Sequence, residues 1–443
     1  MTSRRLIILL LLFLGLAAYA YFFEVEGGKW REAKREEQQK LVQIDVARVT
    51  RLTLLPSNIE IRKVDSHYQI HSPVVTDADS LTIATILDNL RWMKKGRFVS
   101  DNPHDLAKFG LVPYQQAMVI QQGDRIDSLF IGNNNLDGSE CYCRKNGSNQ
   151  VFLVPISLKN SATKSLFDVR DKSILKFEPK NIASVMITNQ GKNFQCQRDR
   201  QWRWWIREPI SAFADEDRLD AMLNQLVDDK VKEIASETSD ELASYALDRP
   251  WLTITLYDSS NHPKGRLEVG RRQNGQYYAR DPNRPAVLLI DSSLVARLNV
   301  SLYDLRDKTI ANFEPDSVTT ILLQRPGLIF HCRKDSLGRW VMLQPDSALA
   351  RSWKINSLLY KIKDLKVAQF IDPPYRSDQH YGFDRPEIQL KLMKGERILA
   401  DFIMGKAVDD KICLKNQLTK AVHLVKQQAK QELSVVAADF TDK

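Results

Sequence analysis

Seven histidines stand at His67, His71, His104, His262, His331, His380 and His423. Metal ligation or general-base work needs such side chains brought together, most simply four residues apart on one helix face. His67 and His71 have that spacing, but Tyr68 and Ile70 between them set a strand-like alternation that removes the helical ligand geometry. Cys141 and Cys143 lie two apart and share one face of a strand. Theirs is not C-x-x-C spacing, and no second pair follows. Five cysteines, an odd number, give no disulfide framework, and Cys196 and Cys332 read as small buried hydrophobes. Asp215-Glu216-Asp217 reads as the anionic first turn of a helix. Asn133 to Gly138 lacks the spaced carboxylates of a calcium loop and reads as a polar turn. No nucleophile elbow, phosphate loop or zinc-protease helix occurs. The expectation is a protein that is not an enzyme, with no catalytic, cofactor-binding or metal-ligating residue.

The most suggestive local group is Trp202-Arg203-Trp204-Trp205, with Arg200 and Arg207 beside it. Alternating indole and guanidinium groups stack on sugar rings or bases. Trp204 aligns with Tyr68 and Trp340 in the repeat described next, so it is expected in a core. Trp202 and Trp205 have no aromatic counterparts and are the candidates for a contact surface.

What must position these residues is a repeated string. Asp168-Val169-Arg170-Asp171-Lys172-Ser173-Ile174 is followed by Phe177-Glu178-Pro179. Asp304-Leu305-Arg306-Asp307-Lys308-Thr309-Ile310 is followed by Phe313-Glu314-Pro315, at an offset of 136 residues. The same offset relates Phe194, Cys196 and Asp199 to Phe330, Cys332 and Asp335, and Asp248-Arg249-Pro250 to Asp384-Arg385-Pro386. Upstream it relates Tyr68 to Trp204 and Phe109-Gly110-Leu111 to Tyr245-Ala246-Leu247. Late in the third copy the offset slips by one, so Gly270 meets Gly405. A chain of 443 residues thus divides into three copies, each long enough to bury its own core. The reading is a tail at 1–5, an apolar run at 6–23, a charged helical stalk at 24–45, and repeats at 46–176, 177–312 and 313–443. The string closes each copy. Its arginine is present as Arg170 and Arg306 but is Thr441 in the last copy. An arginine kept where another copy follows marks a junction. Arg170 and Arg306, with Asp171 and Asp307 beside them, are expected to bond carboxylates or carbonyls at the seams.

Within the second copy, alternating apolar residues predict strands over 182–188, 194–198 and 202–207. A helix from Asp215 with Leu219, Leu223 and Leu226 on one face follows, then a turn at 245–250. Four more strands and a last helix capped by Ser292 complete the copy. The fold class is α+β: three tandem homologous domains, each mainly antiparallel sheet with two helices, after an N-terminal transmembrane helix.

Leu6 to Phe23 is uncharged, at the short end of what spans a bilayer. Ala18-Tyr19-Ala20 fits a cleaved signal. Tyr21-Phe22-Phe23 fits a retained anchor with an interfacial aromatic girdle, and the anchor is the expectation. The Arg4-Arg5 tail before a leucine run places the bulk of the chain in the periplasm, against the positive count of the stalk. Residues 351–430 hold 16 Lys/Arg against 9 Asp/Glu, so the third repeat is a candidate to face an anionic surface of lipid or glycan. A solvated lysine-rich helix face is the plainer account, and no nucleic-acid partner is expected.

The chain after the stalk resembles tandem copies of the bacterial domain of unknown function 4340. The resemblance is carried by Phe109-Gly110-Leu111 before Pro113, Tyr381-Gly382-Phe383 before Pro386, Ile131-Gly132, Val269-Gly270 and the Arg-Asp-Lys strings. Ala246 departs from it where the other copies have Gly. The resemblance implies an inner-membrane, single-pass, extracytoplasmic protein beside gliding-motility-type ABC transporter components. The expected function is a structural or adaptor subunit of an ABC-type transport system. The alternatives are an envelope glycan- or lipid-binding module using the third repeat, and a hydrolase with an inter-domain site.

Overall fold

The computed structural model describes residues 35–441, together with residues 13–15, 19 and 21. The tail at 1–5 and most of the apolar run and the stalk lie outside the described residues. Among the described residues no helix is long and apolar enough to cross a membrane.

Each repeat forms one nine-stranded antiparallel sheet, and the strand order is the same in all three. In the second repeat the strands lie side by side as Ala212–Phe213, Trp204–Glu208, Lys192–Arg198, Ser184–Asn189, Leu252–Tyr257, Pro263–Gln273, Gln276–Arg280, Val287–Asp291 and Glu233–Ser236. Alternation explains the longer strands: Val185, Ile187, Phe194, Cys196, Trp204 and Ile206 are buried while their neighbours are less so. Ala212–Phe213 and Glu233–Ser236 are edge strands too short for a period to register, which is why seven strands are expected and nine are found.

The helix Glu216–Asp228 covers the inner face with Leu219, Met222, Leu223 and Leu226. Asp215 caps it, accepting the Arg218 amide at 3.0 Å. The single last helix expected from Ser292 is two. Asp291, not Ser292, caps Ser292–Leu298. Ser301 then caps Leu302–Leu305 in a capping box with Asp304.

The large hydrophobic clusters run from Leu41 to Val169, Ile174 to Leu305 and Ile310 to Phe440. The repeat boundaries therefore fall inside the string rather than at 176/177 and 312/313, because Ile174, Leu175, Ile310 and Ala311 are buried in the core that follows. The stalk is shortened for the same reason. Its described helix covers 35–39, and Leu41, Val42 and Ile44 are buried in the first core, which draws 40–44 out of a helix and against Met93 and Lys94.

The family motifs meet in space. A Cβ added at Gly132, Gly270 or Gly405 would lie 2.1, 2.2 or 2.1 Å from the carbonyl oxygen of Phe109, Tyr245 or Tyr381. The Ile-Gly strand end is thus the seat for the Phe-Gly-Leu turn, and no side chain fits between them.

Candidate functional site at the seams between repeats

The string is an extended segment that makes a single β-bridge to each of two domains. Arg170 pairs with Ala78 of the first repeat, and three residues later Ser173 pairs with Lys230 of the second. Arg306 with Ala214, and Thr309 with Lys366, repeat this at the second seam. Thr441 pairs with Ala350 in the same way. At the other end of the chain Lys40 pairs with Lys94, the counterpart of Lys230 and Lys366, so 40–44 serve the first repeat as the string serves the others.

Each residue of the string has a task. Asp168 and Asp304 close capping boxes with Ser165 and Ser301. Val169 and Leu305 are buried in the repeat being left, Ile174 and Ile310 in the one being joined. Asp171 Oδ1 accepts the Ser173 amide at 2.9 Å, and Asp307 Oδ1 accepts the Thr309 amide at 2.9 Å. Lys172 and Lys308 donate to the Asp168 and Asp304 carbonyls at 2.9 and 3.0 Å.

The arginines cross the seams. Arg170 donates Nη1 and Nη2 to Glu237 Oε1 and Oε2 at 2.7 and 3.0 Å, a paired contact from an arginine side chain only 5% exposed. Arg306 donates Nη1 to Asp372 Oδ1 at 2.8 Å, and its guanidinium carbon lies 3.7 Å from the Phe370 ring centroid. A cation also runs the other way at each seam. Lys176 reaches back to Asp77 and Asp171, both at 2.6 Å. Lys308 reaches back to Asp215 at 3.1 Å. Burial alone would raise the Asp171 carboxyl, but hydrogen bonds from Lys176 and Ser173 outweigh it and hold the group below the usual carboxylate range. Of the four junction candidates, Arg170 and Arg306 span the seams, while Asp171 and Asp307 shape the turn between them.

Sequence reasoning missed the partners. Glu237 aligns with Pro373 and Asp372 with Ser236, so the carboxylate shifts by one residue between seams and a fixed offset cannot find it. Nor did the spacing of the histidines place His423 at a seam, where it faces Phe370 on the neighbouring strand with ring centroids 5.4 Å apart. Burial, with Arg306 adding to it, pushes His423 down to about 4.

The tryptophans separate. Trp204 is buried, and its Nε1 donates to Asp220 at 2.9 Å. Trp202 lies in the turn before the strand, exposed, at φ +64°, with Arg198 5.1 Å from its ring. Trp205 points the other way from Trp204, stacks on Phe213 with centroids 4.1 Å apart and donates Nε1 to Asp199 at 3.0 Å. Asp199 gathers this turn, its carboxyl pulled down to about 2 first by the Arg203 amide. Both are tied to Asp199, Trp202 through its amide at 3.0 Å, while their rings keep different neighbours, Arg198 for Trp202 and Phe213 for Trp205. Among the described residues no group of three or more His, Cys, Asp or Glu is placed to hold a metal ion.

Three nine-stranded domains, joined by bridging segments and crossed ion pairs, define a tandem array. The family described as domain of unknown function (DUF4340) matches residues 69–204, 204–379 and 340–443, and the chain belongs to it. A search of curated proteins found no match.

Proposed function

We propose that this chain is a non-enzymatic spacer or adaptor, an array whose length and bend are set by its seams. The observation that carries the reading is the reciprocal clamp: Arg170 to Glu237 with Lys176 to Asp77, and Arg306 to Asp372 with Lys308 to Asp215. Residues the copies share are used to fold a repeat and join it to the next. Loose beads would need none of this, since connected domains move unless an interface holds them. The apolar run 6–23 would fix the array in the inner membrane with its bulk in the periplasm. The family resemblance supports a place beside an ABC-type transport system. Recovery from native membranes in mild detergent tests the reading: transport subunits should come with the chain, and recovery without any membrane complex overturns it.

A further inference from the structure

The long helix of the third repeat, Ser352–Lys363, reverses the charge of its counterpart. Glu216–Asp228 carries Glu216, Asp217, Asp220 and Asp228 against Arg218, whereas Ser352–Lys363 carries Lys354, Lys361 and Lys363 and no carboxylate. Both bury an equivalent stripe, Leu219, Met222, Leu223 and Leu226 in one and Ile355, Leu358, Leu359 and Ile362 in the other. The change therefore lies on the outward face. Trp353 and Tyr360 stand there in place of Asp217 and Asn224, 63% and 53% exposed. Seven residues apart, they share one side of the helix about 10 Å apart along its axis. Lys354 lies 4.8 Å from the Trp353 ring, Lys361 follows Tyr360, and Lys363 is turned to Glu314 at 3.2 Å. Leu349, three residues before the helix, is exposed as well.

Indole and phenol rings flanked by lysines have the composition of a surface that sits at headgroup level, where the rings are half wet and the ammonium groups meet phosphate. We infer that this face docks on an anionic lipid bilayer, with Trp353 and Tyr360 entering the headgroup layer and Lys354 and Lys361 meeting its phosphates. The inference does not rest on the transport reading. It lays the array along the membrane instead of standing it away from one.

The full chain carries the apolar run 6–23, so the readout must come from the helix itself. All five native cysteines are buried, which lets Ser357→Cys on the exposed face take an environment-sensitive dye. The labelled chain is placed in phosphatidylcholine vesicles with or without phosphatidylglycerol. The dye should shift to the blue when phosphatidylglycerol is present and return in high salt. Lys354→Gln with Lys361→Gln should weaken that response about thirty-fold. Trp353→Ala with Tyr360→Ala should abolish it while circular dichroism stays unchanged. An equal response in both lipids overturns the inference. So does a shift that follows chain concentration without lipid, which would mark a protein partner.

Discussion

Across the first seam Arg170 meets Glu237 through both ends of its guanidinium. Across the second, Arg306 meets Asp372 through Nη1 alone and rests on Phe370. The backbone path is the same at both. In the neighbouring sheet, however, Ile234 pairs with Leu288 in the second repeat where Phe370 pairs with His423 in the third. Glu237 and Asp372 are 38% and 54% exposed, and Arg306 is 12% exposed against 5% for Arg170. Both seams thus keep the bridging segment and a crossing cation and differ in the anchoring chemistry. The first seam pairs a buried guanidinium with a carboxylate that keeps partial access to water. The second divides the cation between a carboxylate near water and an aromatic face.

The contrast breaks most easily at Glu237. Glu237→Ala leaves Arg170 buried with its charge unmatched and should weaken the first seam by about 3 kcal/mol. Arg170→Met should cost less than half of that, because the carboxylate left behind can recover water. Hydrogen exchange reads the two seams separately. The Asp171 and Val231 amides bond across the first, and those of Asp307 and Val367 across the second. Equal exchange rates in the Glu237→Ala and Asp372→Ala chains would remove the distinction.

Acid should act on the second seam first. The folded pKa of His423 lies near 4, below the ordinary value of 6.5, so the unfolded state binds the extra proton between those limits. Its contribution is present above about 6.5 and is lost as pH falls toward 4, on the order of 2 kcal/mol with partial solvent screening. A proton on His423 also sets a second cation beside Arg306. Asp171 is lowered instead, so its contribution at the first seam lasts until pH falls below the ordinary carboxylate value of 3.8. Protection from exchange, taken relative to the intrinsic rate at each pH, should fall at the second seam between pH 6.5 and 4.5 while the first keeps its protection. His423→Leu, which places there the residue found at Leu288, should remove the difference between the seams.

Much of this was legible in the residues. The 136-residue offset revealed three copies, the central helix and the arginines worth watching, because a repeated string survives only as a pattern of types. The partners stayed hidden because a side chain can be replaced from one residue away without moving the backbone, as Glu237 and Asp372 show. The segment 40–44 read as part of a helical stalk because it continues a run of helix formers, 29–43, without Gly or Pro, and tertiary burial overrode it. Trp202 and Trp205 looked like a pair in sequence, yet a turn at positive φ and strand alternation send them to different neighbours.

A smaller effect is expected from Asp372→Ala, about 1 kcal/mol at the second seam, since Arg306 keeps Phe370 and the carboxylate was half in water. Its exchange signature should be confined to Asp307 and Val367. Spread to Asp171 and Val231 would mean that the seams are coupled through the second repeat.

The last test lies inside a repeat. Ala246 ends its short helix at φ 55° and ψ 35°, where Gly110 and Gly382 hold φ +71° and +77° in the other copies. A Cβ in that left-handed region costs about 1–2 kcal/mol, part of which glycine gives back through its freer unfolded chain. Ala246→Gly should therefore stabilise the second repeat by about 0.5–1 kcal/mol in urea unfolding. The turn it relaxes is seated against Gly270, and Ala246 belongs to neither clamp. If the seams are set by their own residues, exchange at both should not move. If it does, the strain at Ala246 is part of how the second repeat presents Glu237 to Arg170, and the first seam should respond before the second.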